Sequence, residues 1–272
     1  MLPYIDIGPV RFYTFPLIWM ILFMVSWSLL RRQLRKIGVG EENYAWLIAT
    51  AFIAGVSGAN IYGLIKYWIL FPNAPFSIAL AESGYGAYGL ILFGFGGATL
   101  VMRFRKLPVL KVFDVSVPLM ILTVVIGRFA CFMAGDGCYG PPTDLPWGIA
   151  FPNGVVPTNV SVHPTPLYEI LMTLPLFYVL HEKSFRNSQP GFRFFSFLFL
   201  SSFIRFLTEF WRSTSYPRLI NMTVEQIIAS IFLLACGVIV LILLQRKKSF
   251  AYLKATTINV KPSPAKNLLH KE

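Results

Sequence analysis

Long apolar runs alternate with short polar stretches along almost the whole chain. A bilayer core of about 30 Å needs about 20 apolar helical residues to cross it. Seven runs approach that length: residues 12–30, 44–65, 84–102, 115–134, 165–180, 194–211 and 226–245. Lipid offers the backbone no hydrogen-bond partner, so each run is expected to be helical. The expected fold is all-α, a polytopic membrane protein with seven transmembrane helices. Residues 1–245 would form that domain, with a long outer loop at 135–164. Residues 246–272 would form a basic, flexible cytoplasmic tail that touches anionic headgroups. Residues 1–10 lack the basic start of a cleavable signal, so none is expected.

Composition agrees with the pattern. Of 272 residues, 56% are hydrophobic and 13% are charged. A soluble domain carries about 25% charged residues. The net charge of +12 invites a nucleic-acid reading, but its distribution argues against one. Of the 24 basic residues, 18 fall in segments after runs one, three, five and seven. Alternating spans put all of these on one side. The positive-inside rule makes that side the cytoplasm, with the N-terminus outside and the C-terminus inside. Membrane lipids, and no nucleic acid, are the expected surroundings.

Charges inside the runs narrow the chemistry. A charged side chain in mid-membrane costs about 2.5–3.5 kcal/mol on insertion scales, so it normally faces a partner or a wet cavity. Arg128 lies in run four, Glu169 in run five, and Arg205 and Glu209 in run six. Arg205 and Glu209 are spaced i, i+4 and share a helix face, with Arg212 close to it. Two readings fit. One is an internal salt bridge. The other is a cationic site for a phosphate headgroup, which arginine grips with paired donors.

Other positions bear both bland and functional readings. Arg128 would either snorkel to the interface or turn inward, in a run rich in glycine. Tyr85 and Tyr88 sit among glycines whose simplest role is close helix packing. His163 is the one histidine expected outside; a hydrogen-bonding cap is its ordinary role. Cys236 suits packing. Cys131 and Cys138 flank the outer loop, where a disulfide and two free thiols both fit the spacing. No zinc-type spacing is present, so no metal is expected.

Five segments, taken in order, resemble the prolipoprotein diacylglyceryl transferase family. They are IDIGPVRFYTF at run one, GYGAYGLILFG at run three, GRFACFMAGDGCYG at run four, HPTPLYE at run five and RFLTEFWR at run six. The resemblance implies a bacterial inner-membrane enzyme with no cofactor. Its partners would be phosphatidylglycerol, as diacylglyceryl donor, and a prolipoprotein, whose lipobox cysteine is the acceptor. It also implies roles. Arg128 matches the arginine of the family signature, and Arg205 and Glu209 match its essential arginine and a nearby glutamate. Tyr13, Gly140 and His163 match functional positions, and Asp136 matches the acidic residue of the signature. Catalysis would fall to Arg128, Arg205, Tyr88, Glu209 and His163, and substrate binding to Tyr13, Asp136, Gly140 and Arg212. The sequence also departs from the family pattern. Tyr88 stands where the family has a histidine, Cys131 replaces an asparagine, and Ser201 replaces a tyrosine. A phenol with a pKa near 10 is a poor base at neutral pH. The phosphate-binding half is thus kept while the proton-handling half is altered, as in a divergent member or paralogue. The alternative function is a paralogue that binds anionic phospholipid or modifies another acceptor.

Overall fold

The computed structural model describes residues 2–82, 86–182, 188–212 and 222–258. Each of the seven apolar runs carries a helix. These are α1 (Thr14–Lys36), α2 (Glu42–Leu70), α4 (Ala87–Phe104), α5 (Val109–Ala134), α6 (Thr165–His181), α7 (Phe192–Thr208) and α8 (Val224–Ile258). A short helix, α3 (Phe76–Glu82), lies in the first long loop. Five helical segments are long and apolar enough to cross a bilayer: α1, α2, α5, Phe192–Trp211 and Val224–Arg246. The chain is therefore mainly helical and multi-pass. The other two, α4 and α6, are apolar but shorter, with 18 and 17 residues.

Two short β-hairpins add to the helical frame that the sequence leads one to expect. Residues 4–13 form a hairpin, β1 (Tyr4–Ile7) and β2 (Val10–Tyr13), turned by Gly8 at φ +61°. Phe12 and Tyr13 are therefore strand, and the first helix starts at Thr14. In the loop at 135–164, β3 (Ile149–Phe151) pairs with β4 (Thr158–Val162). Alternation over so few residues gives a weak strand signal beside a long apolar run. Run six also ends differently from expectation. Its helix α7 stops at Thr208, and Glu209–Trp211 tighten into a 3-10 turn. The last helix continues past Gln245 to Ile258. Residues 259–272 of the basic tail, like Tyr85, Lys183 and Arg186, lie outside the described residues.

Glycine lets α2 and α4 cross in close contact. A Cβ on Gly89 of α4 would lie 2.1 Å from the Gly58 carbonyl of α2, so only hydrogen fits there. The packing reading of the run-three glycines is thus correct. Deeper in the bundle, Phe113 stacks on Phe194 at 4.7 Å, and Phe95 meets both edge-on at 5.2 Å. Beside them, Asp114 accepts the backbone N–H of Gly191 at 2.6 Å and of Phe194 at 2.8 Å. A helix start leaves such donors without intrahelical partners, and this carboxylate from α5 satisfies them for α7. Burial separates inner from outer helices. In α7 33% of the most apolar stretch is buried, against 11% in α1 and α8. Large apolar side chains such as Met24, Ile53, Leu234 and Leu241 face outward, as a lipid-facing surface requires.

Candidate functional site

The charges inside the helices form one connected chain. Arg128 of α5 meets Glu169 of α6, Nε to Oε2, at 2.6 Å. The other oxygen of Glu169 accepts from Arg205 of α7 at 2.9 Å. Arg205 continues to Glu209, Nη2 to Oε2, at 2.9 Å. Both carboxylates are nearly sealed from solvent, with Glu169 at 7% and Glu209 at 1% side-chain exposure. The i, i+4 salt bridge read from the sequence exists, and it is one link of a longer arrangement. Glu169 is the link that site assignment from sequence missed. Its signal was present, a lone acid in an apolar run, but its partners lie on two other helices.

Local structure explains how these groups are held. Pro166 in the first turn suits the start of α6, where no N–H is needed. The 3-10 turn carries Glu209 to the start of α8. There the Thr223 hydroxyl donates to Glu209 at 3.3 Å. Thr223 and Gln226 form a reciprocal cap, with Thr223 N–H to Gln226 Oε1 at 3.0 Å and Gln226 N–H to Thr223 Oγ1 at 3.1 Å. The charged chain is thereby tied to a fourth helix.

Tyr88 lies beside this chain. Its hydroxyl donates to the backbone carbonyl of Glu225 at 3.2 Å, and its ring stacks on Phe232. The Arg205 guanidinium lies near that hydroxyl. The Glu225 carboxylate is paired with Lys66 of α2, and both are largely buried. This second ion pair escaped the sequence reading because its members are 159 residues apart.

The loop at 135–164 closes over the ends of α5, α6 and α7. Gly135 ends α5 at φ +60°, a left-handed cap, and Val155 and Val156 return to bond Ala134 and Gly135 at 2.9 Å. Gly140 donates to the His163 carbonyl at 2.8 Å. A Cβ there would lie 2.0 Å from the Trp211 carbonyl, so glycine lets the loop touch the end of the 3-10 turn. The His163 ring meets the Tyr168 hydroxyl at 3.1 Å, and Trp147 donates to the same hydroxyl at 2.9 Å. Thr165 caps the loop by donating to the Cys138 carbonyl. Asp136 accepts the Cys138 N–H at 3.1 Å. Arg212 donates to Cys138 Sγ at 3.2 Å.

Of the residues read from the sequence, Arg128, Arg205 and Glu209 therefore belong to one connected chain, with Tyr88 alongside. Asp136, Gly140 and His163 lie in the 135–164 loop, and Arg212, just after the 3-10 turn, meets that loop at Cys138. Tyr13 stands at the end of β2 and is 58% exposed. No hydrogen bond joins its side chain to the arginines among the described residues. At the junction of α5 with the loop, Asp136 joins the two cysteines that the sequence had placed near each other. Ligand atoms of Cys131, Asp136 and Cys138 lie within 4.8 Å of one another.

Chemically, the chain is two guanidiniums held apart and in place by one carboxylate. Each guanidinium has five donors, and the ion pairs engage a minority of them. Such a pair suits a phosphate group and the charge that grows on it when it leaves.

The family described as prolipoprotein diacylglyceryl transferase matches residues 3–243. The phosphatidylglycerol–prolipoprotein diacylglyceryl transferase of Leptospira interrogans is 30% identical over 228 residues, covering 73% of this chain and 71% of that one. The enzyme of the same name from Clostridium tetani is 28% identical over 213 residues, covering 78% and 85%. That of Geobacter sulfurreducens is 28% identical over 222 residues, covering 77% and 83%. With nearly the whole membrane region matched, the chain belongs to the prolipoprotein diacylglyceryl transferase family.

Proposed function

We propose that this protein transfers a diacylglyceryl group from phosphatidylglycerol to the thiol of a prolipoprotein's lipobox cysteine. The carrying observation is the buried Arg128–Glu169–Arg205–Glu209 chain in a member of this family. The acceptor sulfur attacks as thiolate, the stronger nucleophile. A carbon–sulfur bond forms at the glycerol carbon as its bond to the phosphate oxygen breaks. Glycerol phosphate leaves with the electron pair. Arg128 and Arg205 hold the phosphate and offset its growing charge. Glu169 fixes both guanidiniums, and Glu209 orients Arg205. The acceptor's proton goes to Tyr88, Asp136 or His163. Tyr13, Gly140 and Arg212 line the substrate path.

In this reading the protein crosses the bacterial inner membrane seven times, counting α4 and α6. The N-terminus is outside and the lysine-rich C-terminus is cytoplasmic, as the basic residues favour. A phosphatase fused after Glu272 should then be inactive. Activity of that fusion in the periplasm would reverse the topology.

One observation favours a second reading, a lipid-binding paralogue without turnover. Tyr88, where the family has a histidine, donates to a backbone carbonyl instead of presenting a base. Complementation separates the two. A strain depleted of its own transferase should grow when given this gene. Rescue by Tyr88→His but not by wild type would instead favour an intact lipid pocket that lacks one group.

A further inference from the structure

Two thiols meet where α5 runs into the outer loop. Cys131 lies in the last turn of α5, and Cys138 lies seven residues later. Gly135 at φ +60° and Gly137 at φ +81° fold the segment back, so that both sulfurs and an Asp136 oxygen lie within 4.8 Å of one another. Such a group suits either a soft cation or a disulfide. Charge distinguishes them. Arg212 donates to Cys138 Sγ at 3.2 Å, and the Arg128 guanidinium lies on the same side, near both sulfurs. A dication would sit against two fixed positive charges. The same charges favour a thiolate, which is the attacking species in thiol–disulfide exchange. The Cys131 thiol, within hydrogen-bonding reach, and then Arg212 hold Cys138 below the usual thiol range, against the effect of burial.

We infer that Cys131 and Cys138 close into a disulfide, and that closure releases Arg212 from Cys138 toward the phosphate of an anionic lipid. The oxidant is a disulfide-bearing dithiol protein on the outer side. Cys138 thiolate attacks one of its sulfurs and forms a mixed disulfide. Cys131 then loses its proton and attacks Cys138 Sγ. The oxidant leaves as a dithiol, having gained two electrons and two protons. The bonded Cys138 sulfur carries no charge and turns toward Cys131, so Arg212 loses its partner. The release of Arg212 rests on the lipid-site reading above; the disulfide does not.

The test uses the full chain in membranes, denatured in N-ethylmaleimide, then reduced and labelled with iodoacetamide. Mass spectrometry should find the maleimide on Cys236, the buried internal control, and the second label on Cys131 and Cys138. Maleimide on all three would overturn the disulfide. So would protection that a chelator removes and a reductant does not. Binding of a short-chain phosphatidylglycerol then reads the coupling. Oxidised wild type should bind about tenfold tighter than reduced, the weight of one charged hydrogen bond. Cys131→Ser should match the reduced protein without any reductant, and Arg212→Gln should bind equally in both states. Equal affinity for oxidised and reduced wild type would overturn the release of Arg212. Because the labels are read without any transfer assay, a protein lacking transferase activity would leave the disulfide result standing.

Discussion

Two arginine–carboxylate pairs in this molecule have nearly the same geometry and opposite settings. Arg11 meets Asp6 across the N-terminal hairpin at 2.8 Å, with about half of each side chain exposed. Arg205 meets Glu169 at 2.9 Å, with 16% and 7% exposed. In the hairpin, water and salt screen the charges and can replace either partner. Between the helices neither partner can be replaced by solvent. Coulomb attraction is stronger there, and so is the penalty for an unmatched charge. Distance alone therefore says little about which pair matters. The buried pair also shares its carboxylate with Arg128, so one substitution would leave two like charges facing each other.

Glu169→Gln sharpens this contrast most. It should cost about 3–5 kcal/mol of stability, as other broken buried pairs do, and drop transfer at least a hundredfold. Thermal unfolding in detergent and a lipid-transfer assay read the two effects. Near-normal stability would show that water reaches the site and that burial is not what sets it apart.

Arg205→Ala should abolish transfer, whereas Arg212→Ala should weaken it less. Arg205 bonds two buried carboxylates, and Arg212 bonds a thiol at the edge of the loop. Equal and mild losses would mean that the Arg205 pairs only brace the helices.

Tyr88→Phe removes one hydroxyl and one hydrogen bond to a backbone carbonyl. Stability should fall by about 1 kcal/mol, the usual net value of such a bond. The rate should fall far more if the phenol serves the reaction. A rate loss no larger than the stability loss would make Tyr88 a packing residue.

Asp6→Ala should lie at the other extreme. Its pair is half exposed to water, so neither melting temperature nor transfer should change measurably. A clear loss would give the hairpin a role that its exposure does not explain.

Much of this arrangement is legible in the sequence, and the illegible part has a common cause. The seven helices follow from apolar runs because a helix satisfies its own backbone in lipid. Arg205 with Glu209 follows because i and i+4 share a face. The hairpin at Tyr4–Tyr13 had its Gly-Pro turn signal, but the long apolar run beside it dominated the reading. Glu169 was visible as a charge and not as a bridge. Its position depends on how α5, α6 and α7 approach one another, which no local pattern encodes. Lys66 with Glu225 is the same case at longer range. The spacing of Cys131 and Cys138 left a disulfide open, but the approach of Asp136 to both thiols was not legible, because two positive-φ glycines fold a short segment back on itself.

The most direct test of the central claim uses purified full-length protein, phosphatidylglycerol labelled in its acyl chains, and a lipobox peptide. Wild type should move label onto the peptide thiol and release glycerol phosphate in equal amount, and Arg205→Ala should do neither. Wild type that binds the lipid but transfers no label to the peptide would contradict the account.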